Sequence, residues 1–127
     1  MFLNIDLDSK LPIYEQIENQ IIIGISKGIL KPGEILPSVR QLGIDLGVNF
    51  HTVNKAYKAL ESRGFLRMER SSGTRVQQAI PKFREREETI ALDTLRVIIA
   101  EYSSRGYSKR EITDKIQEII KEVKSNE

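Results

Sequence analysis

Apolar side chains in this chain recur in stripes at helical spacing, interrupted once by a stretch that alternates. The first stripe, Tyr14, Ile17, Ile21 and Ile25, predicts a helix over about residues 12–27, with Pro12 suited to its first turn and Gly28 to its end. Pro32-Gly33 is then a type II turn signal. A short helix is expected from about Ser38 to Leu46. Pro37 blocks helix upstream, Ser38 is a good N-cap, Gln41 stands at the capping-box position, and Val39, Leu42 and Leu46 form the stripe. Gly47 tolerates the left-handed backbone of a helix end. After only Val48, Asn49 can cap a second helix from about Phe50 to Ser62, with Val53, Ala56, Tyr57 and Leu60 at i, i+3, i+4 and i+7. Val48 and Val53 occupy the two positions of a hydrophobic staple.

The alternating stretch follows. Phe65-Leu66-Arg67-Met68-Glu69 reads as a strand, Arg70-Ser71-Ser72-Gly73 as a turn, and Thr74-Arg75-Val76-Gln77 as the returning strand. Leu66, Met68, Thr74 and Val76 share the face toward the core. Beyond Ala79-Ile80-Pro81 the composition shifts. Lys82 to Glu88 is a mixed-charge run expected to be the solvated opening of a helix, whose apolar face is Ile90, Leu92, Leu95, Ile98, Ile99 and Tyr102 and whose end lies near Arg105-Gly106. Ser108 and Glu111 form a second capping-box pair, ahead of the stripe Ile112, Ile116, Ile119, Ile120 and Val123. At the other end, residues 2–6 are expected to be extended. The predicted fold is therefore mainly α with a small β-wing. A winged helix-turn-helix occupies residues 1–80, with the helix-turn-helix over about 39–58 and the wing over about 65–78. A helical hairpin occupies 81–127.

A winged helix-turn-helix points to duplex DNA, and the polar face of the second motif helix agrees. Opposite its apolar stripe stand His51, Lys55, Lys58 and Ser62, with Asn54 on the flank, and no acid among them. Recognition helices touch bases mainly through their N-terminal residues, so His51, Thr52 and Asn54 are the candidate base readers. Lys55 and Lys58 are candidate phosphate contacts. Arg67, Arg70 and Arg75 make the wing basic, and its tip, including Arg70, Ser72 and Gly73, can lie along a groove or grip phosphates. A polar face on one helix, taken alone, favours plain solvation; the turn and the wing beside it reverse that in favour of DNA.

Charge enters through its distribution. The formal net charge is only +2, yet residues 38–76 hold seven Lys/Arg against three Asp/Glu, residues 1–37 hold three against five, and residues 81–127 hold ten against ten. The positive excess lies where phosphate would lie. With no cysteine, disulfides and thiolate metal sites are excluded. No long apolar run and no signal-peptide pattern is present, so neither membrane insertion nor secretion is expected and the cytoplasm is the expected location. The one histidine is His51, and no phosphate loop, nucleophile motif or ligand cluster accompanies it. The paired acids Glu87-Glu88 sit in the charged run. No enzymatic activity, cofactor or metal is expected.

Leu11 to Val76 resembles the DNA-binding domain of the GntR family of bacterial transcription regulators. The resemblance is carried by PIYEQI, then G-x-L-x-P-G-x-x-L-P-S-x-R, T-V-x-x-A-Y-x-x-L-E-x-x-G and G-T-x-V. It is most specific to the YtrA-type branch, whose turn commonly reads V-N-P-N-T-V; here Val48-Asn49-Phe50-His51-Thr52-Val53 stands in its place. The resemblance implies that Ser38 and Arg40 hold the DNA backbone and that Asn49, Thr52 and Gly73 act at the recognition-helix start and the wing. Phe50 replaces the usual proline, His51 an asparagine, Ser71 a common wing glycine and Arg75 an aromatic residue.

Two helices of the hairpin's length cannot bury both apolar stripes against each other alone. A second copy is the expected partner, with Leu95, Ile99, Tyr102, Ile112, Ile116 and Ile120 in the seam. The alternative is a hairpin folded back on its own winged helix. The tail is too short for the large ligand-binding domains of other GntR branches, which leaves a small-molecule effector open. The expected function is a sequence-specific repressor that binds a two-fold symmetric operator as a homodimer, and the YtrA-type resemblance implies control of transporter operons. The competing reading is a winged helix used for protein contact without specific DNA readout.

Overall fold

The computed structural model describes residues 3–124. In chain order the elements are α1 (Ile13–Ser26), β1 (Ile35–Leu36), α2 (Val39–Leu46), α3 (Phe50–Ser62), β2 (Leu66–Glu69), β3 (Gly73–Val76), α4 (Glu85–Ser104) and α5 (Lys109–Val123). They form two compact units that meet in sequence at Ile80-Pro81.

Pro12 has extended dihedrals and serves as the N-cap of α1, so the helix starts one residue later than its proline suggested. The fully buried face of α1 is Gln16, Ile17, Ile21 and Gly24, turned slightly from the predicted stripe; Tyr14 and Ile25 are half-buried at its margin. Gln16 is covered by the chain that precedes the helix. Gln16 donates from Nε2 to the Asp6 and Leu11 carbonyls, both at 2.9 Å, and accepts the Asp6 N–H at 2.9 Å. Gln20, one helical turn on, exchanges the same pair of bonds with Asn4, each at 2.7 Å. Residues 3–6 are thus fastened to α1 by two side-chain amides and not by a strand partner, and Leu3 and Ile5 pack on the core. Residue 2 of the expected extended segment lies outside the described residues.

The helix-turn-helix forms through local capping. The Ser38 hydroxyl accepts the Gln41 N–H at 3.1 Å, but Gln41 does not close a capping box: its Nε2 donates to Asp45 Oδ1 at 2.8 Å, an i,i+4 pair on the solvent side. Gly47 ends α2 at φ 69°, and Asn49 Oδ1 accepts the His51 N–H at 2.8 Å to open α3. Gly43 lets the two helices cross so closely. A Cβ there would stand 3.0 Å from the Val48 carbonyl oxygen and 3.2 Å from Phe50 Cα.

The core gathers Ile17, Ile21, Leu42, Val53, Tyr57, Leu60, Leu66 and Val76 from α1, α2, α3 and the sheet. Tyr57 is fully buried, and its hydroxyl donates to the Pro37 carbonyl at 2.7 Å, which ties the chain leading into α2 to α3. Burial raises the ionisation of this phenol well above its ordinary range. Truncating a side chain such as Leu60 here removes apolar burial and leaves a cavity, at a cost of about 2–5 kcal/mol.

The sheet has three antiparallel strands in the order β1-β3-β2. The β2–β3 hairpin pairs Leu66 with Val76 and Met68 with Thr74; Leu66, Thr74 and Val76 are buried and Met68 half-buried, as the alternation requires. Phe65 stays outside β2, and Gly73 belongs to β3 and not to the turn. Strand β1 was not foreseen. Its two residues are too few to show a period, and pairing with Thr74 and Arg75 creates it. The Pro32-Gly33 turn aims it: Gly33 has φ 76°, and the Glu34 N–H reaches the Lys31 carbonyl at 3.0 Å, the type II pattern.

In the second unit, Lys82–Arg84 lie outside helix, correcting the expected start, and Glu87 accepts the Arg84 N–H at 2.8 Å to open α4. Gly106 turns the chain at φ 91°, the Tyr102 and Tyr107 rings meet edge to face at 4.9 Å across the turn, and Ser108 and Glu111 form both halves of a capping box. No residue of α4 or α5 is fully buried. Ile99, Ile112 and Ile116 are half-buried, whereas Leu95 is 47% and Ile120 50% exposed, and Tyr102 is also exposed.

Candidate nucleic-acid interface

The exposed side of α3 begins where the turn delivers it. Asn49, His51, Lys55, Lys58 and Ser62 are exposed, and Thr52 and Asn54 are half-buried on the same helix. Ser38 and Arg40, at the start of α2, are exposed as well. Arg40 and His51 are brought together by Phe50. The Arg40 guanidinium lies 4.4 Å from the centre of the Phe50 ring, and the Phe50 and His51 rings are 4.2 Å apart at 34°. Phe50 thus packs at the helix start among residues expected to meet DNA. The capping bond from Asn49 fixes the first turn of α3, with the His51 amide as its donor.

Lys55, expected to contact phosphate, also has a partner within the chain. Its ammonium sits 3.9 Å over the face of Tyr14 on α1, a cation–π contact that joins the two helices. Other charges are also held within the fold. Glu61 accepts the Met68 N–H at 2.9 Å, linking α3 to β2, and Arg63 approaches Glu18 of α1 at 3.5 Å.

Two of the wing's three arginines have partners within the chain. Arg67 pairs with Glu69 at 2.8 Å, and the half-buried Arg75 donates to the Gly33 carbonyl at 3.2 Å, bracing the turn before β1. Arg70 stands exposed at the tip. Gly73 has φ 82° with open space where a Cβ would be, so its requirement is the backbone angle alone. Ser72 is half-buried, with its hydroxyl oxygen enclosed and no hydrogen-bond partner. Gly43 and Phe50 are the two positions whose part at this surface the periodicity did not reveal: one is silent in a polar–apolar pattern, and the other reads only as apolar.

Residues 13–76 match the pattern that defines the bacterial regulatory proteins of the gntR family, the span from α1 through β3 that presents this surface. The chain belongs to the GntR family. The similarity to single members runs beyond that span. The HTH-type transcriptional repressor YtrA of Bacillus subtilis (strain 168) is 37% identical over 123 residues, 96% of this chain and 95% of that repressor. Among solved structures, a transcriptional antiterminator from Listeria monocytogenes EGD-e superposes with a TM-score of 0.86 at 32% identity, covering 94% of this chain and 89% of its own. The DNA-binding domain of AraR in complex with operator ORX1 superposes with a TM-score of 0.50 at 32% identity, covering 60% of this chain and 92% of that one. This GntR protein is accordingly a DNA-binding regulator of transcription and not an enzyme. Among the described residues no helix is long and apolar enough to cross a membrane.

Proposed function

We propose that this GntR protein is a homodimeric repressor that binds a two-fold symmetric operator in the cytoplasm. The carrying observation is the hairpin's apolar stripe: Leu95, Ile99, Tyr102, Ile112, Ile116 and Ile120 lie along α4 and α5, and none of them is fully buried within one chain. Such a stripe fits a second copy related by a two-fold axis, and two copies would present two α3 helices to two half-sites. Half-sites about one helical turn apart, roughly 10 base pairs, or a multiple of it, follow from that arrangement. Within each half-site, His51, Thr52 and Asn54 read base edges, and Ser38, Arg40, Lys58 and Arg70 hold phosphates. Asn49 and Gly73 shape the turn and the wing that present them. Repression is supported by the similarity to the YtrA repressor, and the YtrA-type resemblance suggests transporter operons as targets.

The test joins assembly to binding. Duplexes selected from a random pool should carry an inverted repeat, and the wild-type protein should sediment as a dimer at micromolar concentration. Ile99→Glu would bury an unpaired carboxylate in the seam and should yield monomers whose winged helix stays folded. Operator affinity should then drop about a hundredfold or more, because two half-sites no longer share one linked binder. A wild-type monomer, or a dimeric variant with unchanged affinity, would overturn the proposal.

A further inference from the structure

We infer that Phe50 is a positioning residue for DNA recognition: its ring touches both the Arg40 guanidinium of α2 and the His51 imidazole of α3, so that the grip on phosphate and the reading of a base are set together. The inference rests on the assignment of Arg40 to phosphate and His51 to base edges. Both groups lie within 4.4 Å of the same ring, the guanidinium at 4.4 Å from its centre and the imidazole at 4.2 Å. The backbone that carries the ring is held in place. Phe50 is the first residue of α3, directly after the Asn49 cap, and its backbone lies against the α2–α3 crossing, where even a methyl on Gly43 would come within 3.2 Å of its Cα.

The chemistry favours this use. A guanidinium stacked on an aromatic face keeps its N–H donors in its own plane, where they remain available to a phosphate. Stacking also narrows the rotamers of a long exposed side chain before DNA arrives, which lowers the ordering cost of binding. The imidazole lies against the same ring at a tilt of 34°, a contact that narrows the directions its nitrogens address. Simple apolar filling of the helix start would need none of this, and leucine would serve it equally well.

Full-length Phe50→Leu and Phe50→Tyr separate the two uses. Binding is measured to the selected operator, to that operator with each base pair replaced in turn, and to random duplex. Phe50→Leu should bind the operator about two- to fivefold more weakly, the range of one exposed cation–π contact. Its preference at one base pair in each half-site should flatten while the melting temperature holds. Phe50→Tyr, which keeps the ring, should restore both affinity and preference. In an Arg40→Ala background, Phe50→Leu should lose most of its effect on random duplex, because the partner it positions there is gone. NMR supplies a readout independent of DNA: ring-current shifts on the Arg40 side-chain protons should appear in wild type and Phe50→Tyr and vanish in Phe50→Leu. Absence of those shifts in wild type would overturn the inference, as would a Phe50→Leu protein with wild-type base preference. If Arg40→Ala and His51→Ala themselves leave DNA binding intact, the underlying assignment of those two residues fails instead.

Discussion

Charged and polar side chains near α3 differ in what they have left to offer DNA, because several already have partners within the chain. Arg67 lies 2.8 Å from Glu69, Arg75 bonds the Gly33 carbonyl, and the Lys55 ammonium rests on Tyr14. Lys58 and Arg70 are exposed, and Asn54 is half-buried on the flank of α3. These differences separate the expected effects of substitution. Lys58→Ala should weaken binding to every duplex alike and flatten the salt slope by about one unit, whereas Asn54→Ala should cost about 1–3 kcal/mol on the best operator and spare random DNA. Arg75→Ala should leave the salt slope unchanged, since its guanidinium braces a turn. Titrations at several salt concentrations on both duplexes check all three; a flattened slope in the Arg75 variant would return that residue to the interface. The caps at Ser38, Asn49 and Ser108 were legible in the sequence because each acts within three residues. The fate of Arg75 was not, because its partner is 42 residues away.

Elements show the same divide between local and distant causes. Helices α2, α3 and α5 follow their periodicity and caps closely, since each carries its own start signal and its own stripe. Strand β1 exists only through β3, and the burial of Gln16 on α1 goes with its bonds to the chain around Asp6 and Leu11, so neither could be read from its own residues. Gly43, which permits the helix crossing, has no side chain through which a pattern could show it. Helix α5 carries a pH dependence of its own. The Ser108 backbone N–H, then the Ser108 hydroxyl contact, and then the charge of Lys115 hold the Glu111 carboxyl below the usual glutamate range. A depressed folded-state pKa means that the capping contribution is present above the pKa of the unfolded chain and lost as pH falls through the folded value. Helicity at the start of α5 should therefore decline in acid. Carboxyl NMR should place the Glu111 titration below that of the same residue in an unstructured peptide; coincident titrations would remove the argument.

At the scale of the whole molecule, the two units differ in what keeps them folded. The winged helix closes around its own buried core, while α4 and α5 hold no fully buried residue within one chain. A unit of about forty residues is too small to offset its conformational entropy with so little burial. If the second copy supplies the missing burial, association and folding of the hairpin are a single equilibrium, and its stability carries a mass-action term that the winged helix lacks. Heating should then give two transitions. The lower should move upward as protein concentration rises and the upper should stay fixed, a separation that calorimetry across a hundredfold dilution series can resolve. One transition independent of concentration would refute the coupling. Under that coupling, scarcity alone would dismantle a third of the molecule: at low copy number the chain would persist as a folded reader with an unfolded tail, and abundance in the cell would become a setting for whether two readers act as one.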